Sequence, residues 1–238
     1  MASFRYWRLR VSRWNYAGSP STGATGDVRI AEWELHTAAA VKWPTSSLTG
    51  ASAPSPFVAA ASSDDGSRPG WRVFDGSTGD SNRWISASAP GAAQWLSIDL
   101  GSAVDIAVVK IAPDGAASIG YHVLDFDIEG STTGAFSGEQ ETIASYSDLS
   151  TGWANNTLRS FSIATVSGTV LDAAGSPAAR TVRSYDRATG AFLAETTSNG
   201  ATGAYRVAGA PTGETQVVVL DDSGGAVLDD LIHRAVAA

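Results

Sequence analysis

Between Val73 and Trp84 the chain reads Val-Phe-Asp-Gly-Ser-Thr-Gly-Asp-Ser-Asn-Arg-Trp. An apolar pair enters an Asp-Gly turn, oxygen-bearing side chains follow, and an aromatic residue closes the run. Carboxylates, hydroxyls and amides so dense on a turning backbone are what a hard cation such as calcium requires. Asp75, Asp80 and Asn82, with Ser81 beside them, are the candidate donors. The same residues also suit a solvated turn, since Asp, Gly, Ser and Asn are common loop formers. A second chemistry is open to the loops. Carbohydrate sites pair an aromatic platform with Arg, Asn or Asp, and loops carry binding more often than strands do. Trp43, Arg68, Trp71, Trp153, Asn155 and Asn156 fall in expected loops, and of these Arg68, Trp71, Trp153 and Asn155 are the glycan candidates. Trp7, Trp33 and Trp95 lie in expected strands and are assigned to a core, the usual place for tryptophan in a sandwich.

Patterns that would announce catalysis are missing from the sequence. It has no Gly-x-Ser-x-Gly elbow, no phosphate loop and no His-Glu-x-x-His. The three histidines, His36, His122 and His233, are scattered without a partner pattern. Asp125 and Asp127 share one face of a strand, as the two carboxylates of a glycosidase would. Such neighbours are commonplace, however, and no general-acid environment is readable around them. The expectation is a protein without an active site.

Composition narrows the partners. The 238 residues carry a net charge of −8, which argues against a surface that tracks nucleic-acid phosphates. Arg5, Arg8, Arg10 and Arg13 are close in sequence but alternate with apolar residues, so they are expected to form one solvated strand face. With no cysteine there are no disulfides or thiolate metal sites. No apolar run approaches the ~18 residues of a membrane span, and Met-Ala-Ser-Phe-Arg-Tyr-Trp is no export signal. A soluble bacterial or viral product, folded in the cytosol of its host without an export signal of its own, is expected.

The elements that must hold these residues are strands. Tyr6 to Val11 and Val28 to Leu35 alternate, the second with a break at Ala31-Glu32-Trp33 that fits a bulge. Asn15 to Asp27 reads as a loop, and residues 36–70 as a long irregular crossing with short strands. Gln94 to Leu100 leads to a turn at Gly101, and Val104 to Ile111 reads as a buried strand. Tyr121 to Ile128, Glu141 to Tyr146 and Thr157 to Ile163 complete a first sandwich. A boundary falls at 163/164. Beyond it, Val166–Leu171, Thr181–Tyr185, Phe192–Thr197, Ala204–Val207 and Thr215–Leu220 alternate with turn residues and describe a second, smaller sandwich. The segment 221–238 fits a helical turn or a last strand. The fold class is therefore all-β, with two tandem antiparallel sandwiches.

Motifs in both parts resemble known families. Ala61-Ser62-Ser63, Phe74-Asp75-Gly76 to Trp84, and Trp95-Leu96-Ser97-Ile98-Asp99-Leu100-Gly101 are similar to the discoidin, or coagulation-factor type C, group of galactose-binding-like domains. Tyr6-Trp7-Arg8-Leu9-Arg10 and Ala31-Glu32-Trp33-Glu34 resemble that family's closing strands, yet here they come first. The resemblance is thus to a circularly permuted jelly roll over residues 1–163. It implies a calcium ion where a Glu of the Ala-Glu-x-Glu strand, Glu32, meets the Asp-Gly loop with Asp75 and Asp80, Ser81 or Asn82. The Asp75–Trp84 loop is longer than the family's usual one.

Residues 164–238 resemble the carboxypeptidase-regulatory-like, transthyretin-like sandwich. The resemblance is carried by Ser167 to Pro177, Val182 to Gly190 and Thr202-Gly-Ala-Tyr205. Such domains are mostly spacers or adhesion modules. This pairing of domains, with the ending from Gln216 to Arg234, is similar to bacteriophage tail fibre and baseplate proteins. It implies a non-enzymatic virion component that acts by assembly with other tail proteins and copies of itself, with possible contact to host surface polysaccharide. The alternative is a free carbohydrate-binding module of a bacterial surface or enzyme system.

Overall fold

The computed structural model describes residues 3–79, 82–115, 120–163, 165–209, 214–220 and 231–236. The chain divides into two compact units, Ala2–Phe161 and Ser162–Ala238. Both are all-β, with a 3₁₀ turn at Gly70–Phe74 as the one named helical element among the described residues.

In the first unit the strands are β1 (Ser3–Tyr16), β2 (Ser19–Ser21), β3 (Arg29–His36), β4 (Lys42–Trp43), β5 (Val58–Ala61), β6 (Trp84–Ile85), β7 (Gln94–Asp105), β8 (Val108–Pro113), β9 (Tyr121–Ser131), β10 (Glu141–Tyr146) and β11 (Arg159–Ser162). One sheet runs β10-β9-β1-β7-β5 with β2 added on β1. The other runs β11-β8-β3-β4 with β6 added on β3.

The N-terminal strand β1 lies mid-sheet, antiparallel to β7 and β9. Its alternation decides this. Trp7, Leu9 and Val11 are fully buried, with Leu9 opposite both Leu96 and Ile128 and Val11 opposite Phe126. Each such side chain contributes about 1.5–3 kcal/mol of apolar burial. In β3, Ile30, Trp33 and Leu35 are fully buried, and the register shifts between Ile30 and Glu32. The break in alternation at Ala31 is thus a bulge, which leaves Glu32, Glu34 and His36 as alternate residues off the Trp33 and Leu35 side.

Several details differ from the sequence reading. The single buried strand expected over Val104 to Ile111 is split, β7 ending at Asp105 and β8 starting at Val108, and Trp43 lies in β4 instead of a loop. The expected loop at Asn15–Asp27 instead begins as a hairpin, Tyr16 pairing with Ser19 across Ala17 and Gly18. Both turn residues have positive φ, 50° and 88°, as a two-residue hairpin turn requires. Gly101 does not end its strand. It has φ +76° inside β7, where the pairing with β1 shifts between Phe4 and Tyr6. Trp95 is half-buried rather than core, because Leu96, Ile98 and Leu100 take the inward positions and period two sends it out. The arginine face of β1 is not simply solvated: Arg8, Arg10 and Arg13 each pair with an acid of β9, and Arg5 pairs with Asp99 of β7.

The second unit has β12 (Thr165–Thr169), β13 (Thr181–Asp186), β14 (Phe192–Thr197), β15 (Ala204–Ala208), β16 (Glu214–Val219) and β17 (Leu231–Val236). They form a β12-β15 pair and a β14-β13-β16-β17 sheet. The core is small: Val166, Val170, Ala178, Val182, Val207 and Val217, with Tyr205, Ala194 and Val219 at its margin. Its turns are built by side chains that take over backbone donors. Asp172 Oδ1 accepts from the N–H groups of Ala174 and Ser176, Asp186 Oδ1 from Ala188 and Thr189, and Asn199 Oδ1 from Ala201 and Thr202. The undecided tail resolves in part. Residues 231–236 are a strand antiparallel to β16, whereas 221–230 lie outside the described residues.

Candidate functional site

The bulge in β3 sets up one corner of the first unit. Inward Trp33 meets Phe74, the last residue of the 3₁₀ turn, with ring centroids 5.3 Å apart. The Phe74 carbonyl is held by the Leu48 N–H at 2.9 Å. Chain neighbours of these two aromatics, Glu32 and Asp75, are thereby brought together, near enough that the Asp75 charge raises the proton affinity of Glu32. Asp75 Oδ1 accepts the Ser77 N–H at 2.9 Å, which shapes the turn.

Lys42 of β4 reaches into the same corner. Its Nζ lies 3.3 Å from Glu32 Oε1 and 3.0 Å from Glu34 Oε1, while His36 Nε2 meets Glu34 Oε2 at 2.8 Å. Glu32 is 1% exposed, and its Oε2 is buried without a hydrogen-bond partner. Burial pushes the Glu32 carboxyl up to about 8, with Asp75 and Glu34 adding to the rise and Lys42 opposing it. Burial also raises Asp75, against the Ser77 N–H and the charges of Arg72 and Lys42. For Glu34 burial acts upward too, but the bonds to His36 and Lys42 outweigh it and hold the carboxyl low.

A buried carboxyl oxygen beside a second carboxylate is the kind of donor a hard cation takes, but a carboxyl pushed up to about 8 keeps its proton near neutral pH and already meets the Lys42 ammonium, so the described residues alone do not fit calcium. Among the described residues no group of three or more His, Cys, Asp or Glu side chains gathers as a metal cage. Asp80, and Ser81 with it, lie outside the described residues. Asn82 is present, and its Oδ1 accepts from Arg72 Nη1 at 3.3 Å.

Arg72 links this corner to an aromatic. Its guanidinium lies 5.5 Å from the ring centre of Trp71, which is half-buried. Trp71, Arg72 and Asn82 therefore present an indole, a fork of donors and an amide at one place. Arg68 is instead committed locally, with its Nη1 2.8 Å from Asp65 Oδ2 and its N–H on Asp65 Oδ1.

The Trp153 pair is different. Trp153 is 5% exposed, donates its indole N–H to the Leu149 carbonyl and packs on Phe161 and His122. It is a core residue and offers no open platform, although Asn155 nearby is exposed. Asp125 and Asp127 are each held by an arginine, Arg13 Nη2 at 2.9 Å and Arg10 Nη1 at 3.0 Å. Burial would raise Asp125, but Arg13 wins and keeps it ionised, the wrong state for a general acid.

Sequence reasoning missed Lys42 and Arg72. Lys42 is one of two lysines in the chain, with Lys110, and it pairs in register with His36, two residues from Glu34. Arg72 lies directly between Trp71 and the Val73-Phe74 pair that was singled out.

Comparison with known families bears on this same corner. Residues 72–170 match an F5/F8 type C family model described as NedA-like, galactose-binding domain. A galactose-binding-like stretch thus runs from the 3₁₀ turn to the second unit's first strand. It includes Arg72, Asp75 and Asn82, and it leaves out β1 to β5. No curated protein matches the chain.

Proposed function

We propose that the first unit is a glycan-binding module and that Trp71, Arg72 and Asn82 form its contact with sugar. The observation that carries this is the half-exposed Trp71 with a guanidinium beside its ring and the Asn82 amide within reach; Arg72 and Asn82 lie in the stretch similar to galactose-binding domains, and Trp71 immediately precedes it. An indole face stacks on the C–H face of a pyranose, while the guanidinium and amide take its hydroxyls. No bond of the ligand needs to be broken, so the role is recognition without catalysis. A glycan array followed by titration calorimetry with a galactose-terminated oligosaccharide tests it. Trp71→Ala is expected to abolish the heat while leaving the melting midpoint nearly unchanged. Equal binding by this variant, or no binding to any glycan by the native chain, refutes the assignment.

The family order of strands supports a permuted module. The strands bearing Tyr6 to Arg10 and Ala31 to Glu34 sit inside their sheets, between β9 and β7 and between β8 and β4, yet precede the matched residues in the chain. The structural calcium ion that the family resemblance implies would need the Glu32 carboxyl ionised and the Lys42 ammonium displaced. Glu32 and Asp75 would hold it, with Asn82 and loop carbonyls as further oxygen donors. When bound it would neutralise two carboxylates and tie β3 to the Asp75 loop.

The finer assignment is to a bacteriophage tail, where a glycan-binding unit and a small adhesion-type unit would assemble with copies of themselves and with other tail proteins and engage host polysaccharide. Mass spectrometry of purified particles tests it. A chain that binds glycan but is absent from particles is instead the free module.

A further inference from the structure

Period two turns Trp95 away from the core, and the strand register shows what stands beside it. Trp95 of β7 lies opposite Arg10 of β1, Arg10 opposite Asp127 of β9, and Asp127 opposite Ser145 of β10. Trp95, Arg10 and Asp127 are half-buried and Ser145 is exposed. The row crosses four neighbouring strands of one sheet, and at a strand spacing of about 4.8 Å it runs roughly 14 Å. We propose that this row is a second carbohydrate contact, a flat track for a neutral polysaccharide chain. Trp95 is its stacking platform, and Arg10, Asp127 and Ser145 supply its hydrogen bonds.

The neighbours of Trp95 leave its indole room. Ser62 bonds to its backbone, and Ser97, two residues on and on the same face, pairs with exposed Ala60. The polar groups are already aimed. Arg10 Nη1 donates to Asp127 Oδ2 at 3.0 Å, and Ser145 Oγ donates to Asp127 Oδ1 at 2.7 Å. A guanidinium has five N–H donors and a carboxylate about four acceptor sites, so each keeps capacity for sugar hydroxyls, which both donate and accept. Little ordering is needed on binding. Charge decides the class of polymer. Arg10 is matched by Asp127, Arg8 by Glu129 and Arg5 by Asp99, so the face offers no net field to a polyanion or a polycation. Length decides the form, because the row is longer than one pyranose ring and suits a chain of sugars more than a terminal one. It shares no residue with the contact at Trp71, Arg72 and Asn82 and does not depend on it.

Affinity electrophoresis of the full chain, through gels holding a linear galactan, glucan or mannan, tests the proposal. The native chain is expected to be retarded by at least one of the three. Trp71→Ala should still be retarded by that polymer. Adding Trp95→Ala to Trp71→Ala should weaken this residual binding on the order of tenfold, about 1.4 kcal/mol, whereas adding Trp95→Phe, which keeps an aromatic face, should preserve most of it. If Trp71→Ala alone abolishes retardation, the inference falls while the Trp71 assignment stands. Equal retardation of Trp71→Ala and Trp71→Ala/Trp95→Ala overturns it, as does a native chain that none of the three polymers retards. Should Trp95→Ala fail to fold, Arg10→Met/Ser145→Ala takes its place in the Trp71→Ala chain, and undiminished retardation of that variant overturns the inference.

Discussion

The outer face of β1 carries ion pairs that look alike in sequence and differ in worth. Arg8 and Glu129 are direct cross-strand partners, as are Arg10 and Asp127. The first pair is 11% and 6% exposed, the second 42% and 26%. The difference has a visible cause: the Phe136 ring lies 4.3 Å from the Arg8 guanidinium carbon. Phe136 is held there with φ +48° by the bond from its N–H to Glu139 Oε1. Arg8→Met keeps most of the aliphatic volume but leaves Glu129 buried and alone, which should cost about 3–5 kcal/mol. Arg10→Met should cost about 0–1 kcal/mol. For a unit of this size the first loss corresponds to a melting shift of about 10 °C and the second to ~2 °C. Arg8→Met/Glu129→Met together should recover most of the loss, since a matched apolar pair strands nothing. Phe136→Ala should let water in and bring the Arg8–Glu129 coupling toward that of Arg10–Asp127. All eight tryptophans lie before Ser162, so tryptophan fluorescence follows the first unit alone and serves as the assay. Equal losses for Arg8→Met and Arg10→Met, or a double variant no better than Arg8→Met, would show that burial does not set the value of these pairs.

Two further outcomes follow from the geometry. Burial would raise Asp99 and Asp125, but the bonds from Arg5 and Arg13 prevail and hold both below the ordinary aspartate range. Their stabilisation is therefore full above the unfolded-state value of about 3.9 and lost as pH falls through the lower folded-state values. The fluorescence midpoint should drop below about pH 4, and the Asp125→Asn chain should show a shallower fall. In the second unit, buried Ser198 Oγ donates to the Ala178 carbonyl at 2.6 Å and accepts the Arg180 N–H at 2.9 Å. Ser198→Ala should cost about 1–3 kcal/mol, seen as an earlier far-ultraviolet dichroism transition. An equal shift in tryptophan fluorescence would mean that the loss is not confined to this unit.

What the chain discloses about itself follows the range of the interactions. Period-two alternation is local, so β1, β3, β7 and β9 are legible, and even the bulge at Ala31 shows as a broken period. Turn chemistry is equally local, which is why Asp172, Asp186 and Asn199 mark turns correctly. Trp95 was readable too, had its place between Gln94 and Leu96 been weighed above its residue type. Pairing partners are another matter. Nothing near Arg8 names Glu129, 121 positions away, and nothing near Trp153 reveals that Phe161 and His122 cover it. A loop residue can be core when the loop folds back, and composition does not record that.

The corner at Glu32 shows the same limit from the side of function. A carboxylate on an alternating strand and an Asp-Gly loop more than forty residues later can be joined only by an argument about fold order. The sequence resemblance supplied that order, and the Trp33–Phe74 contact supplies the physical means. Lys42 had no such pointer. It enters because the chain doubles back after His36 and pairs Lys42 with it, which turns a sequence neighbour of Trp43 into the counter-ion of Glu32. The consequence is chemical. An acidic corner that a list of oxygen donors describes as a cation site already contains a cation, the Lys42 ammonium.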